Sequence, residues 1–371
     1  MNDNSASRIK NIGVWMSDKK SQKLNWNELM RVCNCHGYNL VKVNLEKSLE
    51  EQGELDVFLH KLTDAIAAAD QGDSKASHII NRVEQYLSNH PRVVVIDPLD
   101  NVRLLLNRYC YYSILHNEPS FKKHGIFTPT FAEFTTNNID RNMEIMRQRG
   151  VTFPVICKPT IAHGSKSAHE MVVIFNENGL KVCKPPCVVQ SFVNHNAILH
   201  KVFLIGNRYH ICERPSLKNF YASEGLDPIF YSTGEVCKAD SQSTLSILDP
   251  YDTPDIRMTL NEEKVMHIIQ VLRKRINLLL TGFDVVIDNT TGKHAVIDIN
   301  VFPSYDNFPN FFEHFLDSVD EMVHRRREYS NGGTNGVTEN EFSDIAYTAR
   351  NGLIKIGMES GEFGVMGMNV N

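Results

Sequence analysis

The sequence predicts a mixed α/β protein with a small parallel α/β domain at its N-terminus. Three observations carry this reading. Strand-like and helix-like segments alternate with short connections through the first third of the chain, as in a parallel sheet covered by helices. From about residue 125 the texture changes to long apolar strands joined by glycine-bearing turns. The 371 residues are 42% apolar and 22% charged. That balance excludes wholesale disorder and fibrous repeats, and at roughly 150 residues per domain it suggests two or three domains.

The elements follow in order. Ile12–Met16 reads as a strand and Trp26–His36 as an amphipathic helix closed by Gly37. Tyr38–Leu45 reads as a second strand and Leu55–Leu62 as a third. A polar helix around Ser77–Ser88 ends before Pro91, and the strand Arg92–Asp97 and a helix from about Leu99 follow. No G-x-G-x-x-G occurs, so a dinucleotide role for this domain is weak, and neither a G-x-x-x-x-G-K-[ST] loop nor protein-kinase signatures are found. Past Arg325 the patterning fades. Arg325, Arg326 and Arg327 precede NGGTNG at 331–336, and the chain closes in GMESGEFGVMGMNVN. This stretch reads as a flexible tail with a short helix near Phe342–Arg350.

Charge and cysteine usage narrow the function classes. Lys plus Arg is 39 and Asp plus Glu is 44, a net charge of −5, which argues against a general nucleic-acid binder. The longest apolar runs, VVVI at 93–96 and KVFLIG at 201–206, are strand-length and too short to cross a bilayer. The N-terminus lacks the apolar core of a signal peptide. Eight cysteines are therefore expected to be reduced thiols, with Cys157, Cys187 and Cys212 inside apolar strand-like runs. Cys33 with Cys35, and Cys183 with Cys187, lack the paired spacing of a zinc site. A cytoplasmic location is expected, extending to the nucleus as well.

Three constellations carry chemistry. In GFDVVIDNTTGKHAVIDINVFPSY (282–305), two apolar strands flank a turn-rich loop at Asn289–Lys293. Centring the hairpin on Thr291 pairs Asp288 with His294, Val286 with Val296, and Asp284 with Asp298, so Asp284, Asp298 and Asn300 share one face. Two opposed carboxylates repel by roughly 3 kcal/mol at ~5 Å and an effective dielectric of ~20. A divalent cation removes that penalty, and two carboxylates with an amide oxygen suit Mg²⁺ completed by phosphate oxygens. The alternative is one protonated Asp or a register displaced by two residues.

In NHNAILHKVFLIGNRYHICERPSLKNF (194–220), Gly206-Asn207 reads as a two-residue hairpin turn. Its register pairs Leu199 with Arg214 and Lys201 with Cys212, placing Lys201, Arg214, His210 and Arg208 on one face. Such cations either flank a phosphate or form a solvated polar face. In TFPVICKPTIAHGSKSAHEMVVIF (152–175), Lys158 leaves a strand, His163, Gly164, Ser165 and Lys166 occupy a loop, and His169 opens the return strand. The loop reads either as a phosphate cover or as an ordinary surface hairpin. Pro185-Pro186 then introduces the apolar strand CVVQSFV at 187–193.

Taken together, these segments resemble the inositol trisphosphate 5/6-kinase family, also called inositol tetrakisphosphate 1-kinase. The matching strings are GVWMSDKK (13–20), EEQGELDVFLHKLTDAI (50–66), FPVICKP with AHGSKSAHEM, PPCVVQSFVNHNAILHKVF, RPSLKNF (214–220) and HAVIDINVFPSY. They span about residues 10–320 in order and with compatible spacing. The resemblance implies an ATP-grasp fold with an N-terminal Rossmann-like α/β domain. The implied domains are 1–110, 111–193 and 194–325, with a tail at 326–371.

The resemblance also implies roles. Asp284, Asp298 and Asn300 match Mg²⁺ ligands, and Arg108 and Lys158 match residues that hold ATP phosphates. Gln190, Ser191, Phe192 and Val193 match an adenine-binding hinge. Arg214, Ser216 and Thr233 match the nucleotide side. Lys20, Gly164, His169, Lys201, Asn300 and Ser304 match the inositol phosphate side, with Lys158, His169 and Lys201 nearest the reaction. The family usually has Gly where this chain has Ser304, and often has serines at Thr233 and Cys237. Ser165 stands where Thr is common. The implied activity is ATP- and Mg²⁺-dependent phosphorylation of inositol polyphosphate hydroxyls by a monomer, without nucleic-acid or membrane partners. A carboxylate–amine ligase acting through an acyl phosphate is the second reading, and a non-catalytic ATP-binding module the third.

Overall fold

The alternation of the first third folds into a four-stranded parallel sheet, made of β1 (Lys10–Met16), β2 (Tyr38–Lys42), β3 (Val57–Lys61) and β4 (Val94–Ile96), in the order β2-β1-β3-β4. The computed structural model describes residues 8–162, 166–252, 257–332 and 354–355. Two of its helices begin where short polar side chains cap them. Asn25 accepts from Glu28 N at the start of Trp26–Cys35, and Asp73 accepts from Ala76 N at the start of Ser74–Asn89. Gly37 ends the first of these with φ +75°, a left-handed conformation that glycine adopts without cost.

Two helices depart from the sequence reading. Thr63–Asp70 is a helix that the reading passed over, an alanine-rich segment with little apolar periodicity. The helix expected from Leu99 is broken into Leu99–Leu104 and Arg108–His116, the second capped by Asn107 accepting from Cys110 N.

Next along the chain come β5 (Ile126–Phe127), β6 (Phe131–Phe134), β7 (Val155–Pro159), β8 (Glu170–Ile174) and β9 (Cys187–Ser191). Then follow β10 (Ile198–Ile205), β11 (Arg208–Pro215), β12 (Ile229–Ser232), β13 (Leu280–Ile287), β14 (His294–Val301) and β15 (Ile354–Lys355). They form an antiparallel five-stranded sheet, β12-β8-β7-β9-β6, and a six-stranded sheet, β15-β11-β10-β13-β14-β5. The helix Phe311–Gly332 continues past residue 325, and β15 pairs in parallel with β11. The short helix expected at Phe342–Arg350 lies outside the described residues.

Register decides where the chemistry falls. Gly206 turns the β10–β11 hairpin at φ +52°, pairing Leu199 with Arg214 and Lys201 with Cys212 as the turn requires. In the β13–β14 hairpin Asp284 does face Asp298, yet the pairs nearer the turn differ from the expectation. Val285 faces Val296, Val286 faces Ala295 and Ile287 faces His294. The cause is a β-bulge: Ile297 is an extra residue on β14, which shifts the register by one.

Cys157 on β7 meets Cys183 and Cys187 from the segment leading into β9. Cys157, Cys183 and Cys187 are buried in an apolar cluster with sulfurs within 4.8 Å of one another.

Candidate active site

A cavity of about 700 Å³ opens between the five- and six-stranded sheets, lined by side chains from both and by the loop after β14. Its floor is a row across three strands. Lys201 on β10 faces Asp284 on β13, which faces Asp298 on β14, and Asn300 lies two residues further along β14. Lys201 Nζ is 3.2 Å from Asp284 Oδ1. That ion pair falls outside hydrogen-bond geometry, so the buried Oδ1 has no hydrogen-bond donor. Burial and the facing Asp298 charge push the Asp284 carboxyl up, against the pull of Lys201. Asp298 is half-buried, and Arg108, Lys158 and the Tyr111 hydroxyl outweigh the cost of burial and hold it below the usual carboxylate range. Tyr111 donates to Asp298 Oδ1 at 2.5 Å. Two carboxylates, one with an orphaned oxygen, beside an amide form a hard-oxygen donor set that fits Mg²⁺.

The bulge at Ile297 has a use. Its carbonyl accepts from Lys158 Nζ at 3.1 Å and from the Tyr112 hydroxyl at 2.9 Å. Lys158 also donates to Tyr112 Oη at 2.7 Å and to Gln190 Oε1 at 2.8 Å. Burial lowers its ammonium to about 8, the carboxylates opposing that shift. Because Gln190 Oε1 faces a cation, its amide nitrogen points elsewhere and is buried without a partner. Arg108 donates to the carbonyls of Pro159, Ile161 and Ala168, so it ties both flanks of the loop after β7.

The hinge segment is held largely by its own chain. Ser191 Oγ bonds Thr130 Oγ1 and accepts from Thr152 N, so its side chain is already engaged. Phe192 packs on His195 and Phe220. His195 Nδ1 lies 2.6 Å from the Val193 carbonyl and Nε2 lies 2.7 Å from Ser216 Oγ. A carbonyl only accepts, so Nδ1 carries the proton and Ser216 donates to Nε2. Burial pushes this imidazole down to about 4 and keeps it neutral. Thr233 and Cys237 line the same end, and burial pushes the Cys237 thiol up to about 12.

The opposite end is cationic. Lys20 donates to Pro303 O at 2.7 Å and stands over the Phe302 ring, its Nζ 4.3 Å from the centroid. Lys61 donates to Phe302 O at 2.8 Å. Burial, with Lys61 adding repulsion, lowers Lys20 to about 7, and burial lowers Lys61 to about 8. His169, Lys201, Arg214, Lys19 and Lys23 line the cavity. Burial and then Arg108 lower His169. Arg208 shares the strand face of Lys201 but pairs with Asp317 at 3.1 Å instead, and His210 packs on Phe308. Ser304 donates to Asp306 Oδ2 at 2.8 Å. Gly164, with His163 and Ser165, lies outside the described residues.

Two family models match the chain: the inositol 1,3,4-trisphosphate 5/6-kinase pre-ATP-grasp domain at residues 11–102 and the ATP-grasp domain of the same kinase at 120–321. The chain belongs to this family of inositol phosphate kinases. Inositol-tetrakisphosphate 1-kinase of Xenopus laevis is 40% identical over 87% of this chain and 81% of the relative. The Danio rerio enzyme of that name is 38% identical over 85% and 79%. Among solved structures, D-cycloserine synthetase DcsG matches with TM-score 0.55 at 12% identity, covering 84% of this chain and 99% of that one. D-alanine–D-alanine ligase from Bacillus anthracis complexed with ATP matches with TM-score 0.51 at 14% identity, over 87% and 100%. These structural likenesses speak to the ATP-grasp fold alone.

Within this family member, sequence reasoning passed over Lys61, Tyr111, Tyr112, His195 and Asp306. Lys61 had a signal. It ends β3 beside β1, and ligands of open parallel sheets gather at the carboxyl ends of strands. Tyr111 and Tyr112 had none, because they meet β14 across more than 180 residues of chain. Among the described residues no helix is long and apolar enough to cross a membrane.

Proposed function

We propose that the chain transfers the γ-phosphoryl group of ATP to a ring hydroxyl of an inositol polyphosphate. The acceptors of this reading are inositol 1,3,4-trisphosphate at position 5 or 6 and inositol 3,4,5,6-tetrakisphosphate at position 1. The observation that carries it is the two-ended cavity: a paired-carboxylate hairpin beside buried Lys158, facing a cationic end lined by Lys19, Lys23, Lys201 and Arg214, with Lys20 and Lys61 on the carbonyls of the adjoining Phe302–Pro303 segment.

Phosphoryl transfer asks a protein chiefly for positioning and charge cancellation. Asp284, Asp298 and Asn300 would hold Mg²⁺, which would supply positive charge to offset that of the transferring phosphoryl group. Lys158 neutralises a phosphate oxygen from a position fixed by Tyr112, Gln190 and the Ile297 carbonyl. Arg108 fixes the loop that covers the phosphates. Gln190–Val193, Ser216 and Thr233 surround the nucleoside. Lys20, Lys61 and Lys201 orient the acceptor's phosphates, and neutral His169 can take the hydroxyl proton. A ligase would present its acceptor side to a small amino acid, for which several cations are poorly suited.

Incubation with ATP, Mg²⁺ and individual inositol tris- and tetrakisphosphates, with products resolved by isomer, tests the reading. A more phosphorylated inositol that disappears in Asp298→Asn is expected. An amide product from another acceptor, or nucleotide binding without any product, would overturn it.

A further inference from the structure

The cationic end of the cavity contains a carboxylate that no part of the mechanism uses. Asp306 lines the cavity with Lys19, Lys23, Lys201 and Arg214. Its negative charge reaches Lys20, where it partly offsets the lowering by burial and Lys61. A carboxylate in the wall of a polyanion pocket opposes the binding of phosphate. It therefore needs a reason beyond affinity.

The local geometry supplies one. The chain after β14 is fixed by Lys20 and Lys61, which donate to the Pro303 and Phe302 carbonyls. The Tyr305 hydroxyl, donating to Leu204 O at 2.6 Å, pins the next turn. Cys212 Sγ reaches the Asp306 carbonyl at 3.8 Å. On that fixed segment Ser304 donates its only hydroxyl proton to Asp306 Oδ2. One carboxylate oxygen is thereby oriented, and the group as a whole can only accept. A carboxylate so held favours a hydroxyl, which donates to it, over a phosphate, which shares its charge and is largely deprotonated near neutral pH.

We propose that Asp306, oriented by Ser304, is a specificity-determining residue. It accepts a hydrogen bond from a ring hydroxyl of the acceptor and rejects a phosphate at that ring position. Ser304 is a positioning residue for it, which gives a role to the side chain found where the family usually has glycine. The inference rests on the inositol phosphate reading above and deepens it: the acceptor must present a hydroxyl, as well as phosphates, to the part of the wall that carries Asp306.

The test uses a ligand that cannot satisfy Asp306. Inositol hexakisphosphate has no ring hydroxyl, so any pose places a phosphate against the carboxylate. Titration calorimetry on the full chain at low salt is expected to show Asp306→Asn tightening inositol hexakisphosphate by about tenfold, which is about 1.4 kcal/mol. The dissociation constant of inositol 1,3,4-trisphosphate should stay within twofold or weaken. Ser304→Gly should give an intermediate shift, and the hexakisphosphate effect should shrink as salt rises, since Asp306 is exposed. Equal tightening of both ligands would overturn the proposal, because a diffuse field effect does not distinguish ring positions. An unchanged hexakisphosphate constant would also overturn it. Failure of the kinase reading looks different: wild-type chain would then bind neither ligand and phosphorylate no inositol phosphate.

Discussion

At the residue scale, the paired carboxylates work only if each is held in one orientation, and the two are held differently. Asp284 is opposed by Lys201 across β10, whereas Asp298 receives the Tyr111 hydroxyl at 2.5 Å from a fully buried ring. A hydrogen bond to the non-ligating side of a carboxylate fixes its rotamer, and losing such a partner typically costs 10–100-fold in metal affinity. Tyr111→Phe keeps the ring and removes only that bond. Titration of Mn²⁺ with ADP present, followed by electron paramagnetic resonance, is expected to show at least tenfold weaker metal binding. Binding of inositol 1,3,4-trisphosphate without metal should be unchanged. An equal loss in both would instead mean that Tyr111 acts through packing.

At the element scale, the site depends on three strands lying close enough to align Lys201, Asp284 and Asp298. Gly282 makes that approach possible. A Cβ there would meet the Val202 carbonyl at 3.0 Å and Pro303 Cγ at 3.2 Å. The first contact is backbone of β10 and cannot swing away. Gly282→Ala is therefore expected to destabilise the fold by about 1–3 kcal/mol through overpacking, measured by urea denaturation. It should also reduce kcat more than the KM for ATP, since Asp284 lies two residues on. The same hairpin shows what the sequence makes legible. Alternation put Asp284 and Asp298 on one face, but their direct pairing was reached through a turn register one residue off at Ile287–His294, which the bulge offsets. The bulge at Ile297 left no mark, because an extra residue in a run of Val, Ile and Ala preserves composition while shifting every later pair. The β10–β11 register, fixed by Gly206-Asn207, was fully legible for the opposite reason: a two-residue turn leaves no slack. The helix Thr63–Asp70 was missed because five of its eight residues are Ala or Ile on too short a stretch to show a period.

At the scale of the whole molecule, the proposed reaction needs the cations of the N-terminal sheet to meet a hairpin of the six-stranded sheet, so on that reading the joint between the two matters to catalysis. Asp97, just past β4, makes that joint. Its Oδ1 accepts from Leu279 N at 2.6 Å and its Oδ2 from Leu280 N at 3.0 Å, while His60 Nε2 donates to its carbonyl at 2.7 Å. All of this is buried. Burial pushes the Asp97 carboxyl up from 3.8 to about 7, more than its two amide donors pull it down. The folded chain thus binds the proton more tightly than the unfolded chain. The resulting stability is fully present below the unfolded value and is lost as pH rises through the folded one. The swing is on the order of 4 kcal/mol between pH 4 and 7, with no further change from this group above that. Asp97→Asn cannot ionise, and its NH₂ leaves one backbone donor unmet at a cost of about 1–3 kcal/mol. Denaturation of both proteins from pH 4.5 to 8 should show the wild-type advantage shrinking up to about pH 7 and then holding level. An advantage that grows over that range would mean that the amide donors, rather than burial, control Asp97. Because Lys20 and Lys61 lie on one side of the joint and Asp284 and Asp298 on the other, the variant should raise the KM for the inositol phosphate more than that for ATP.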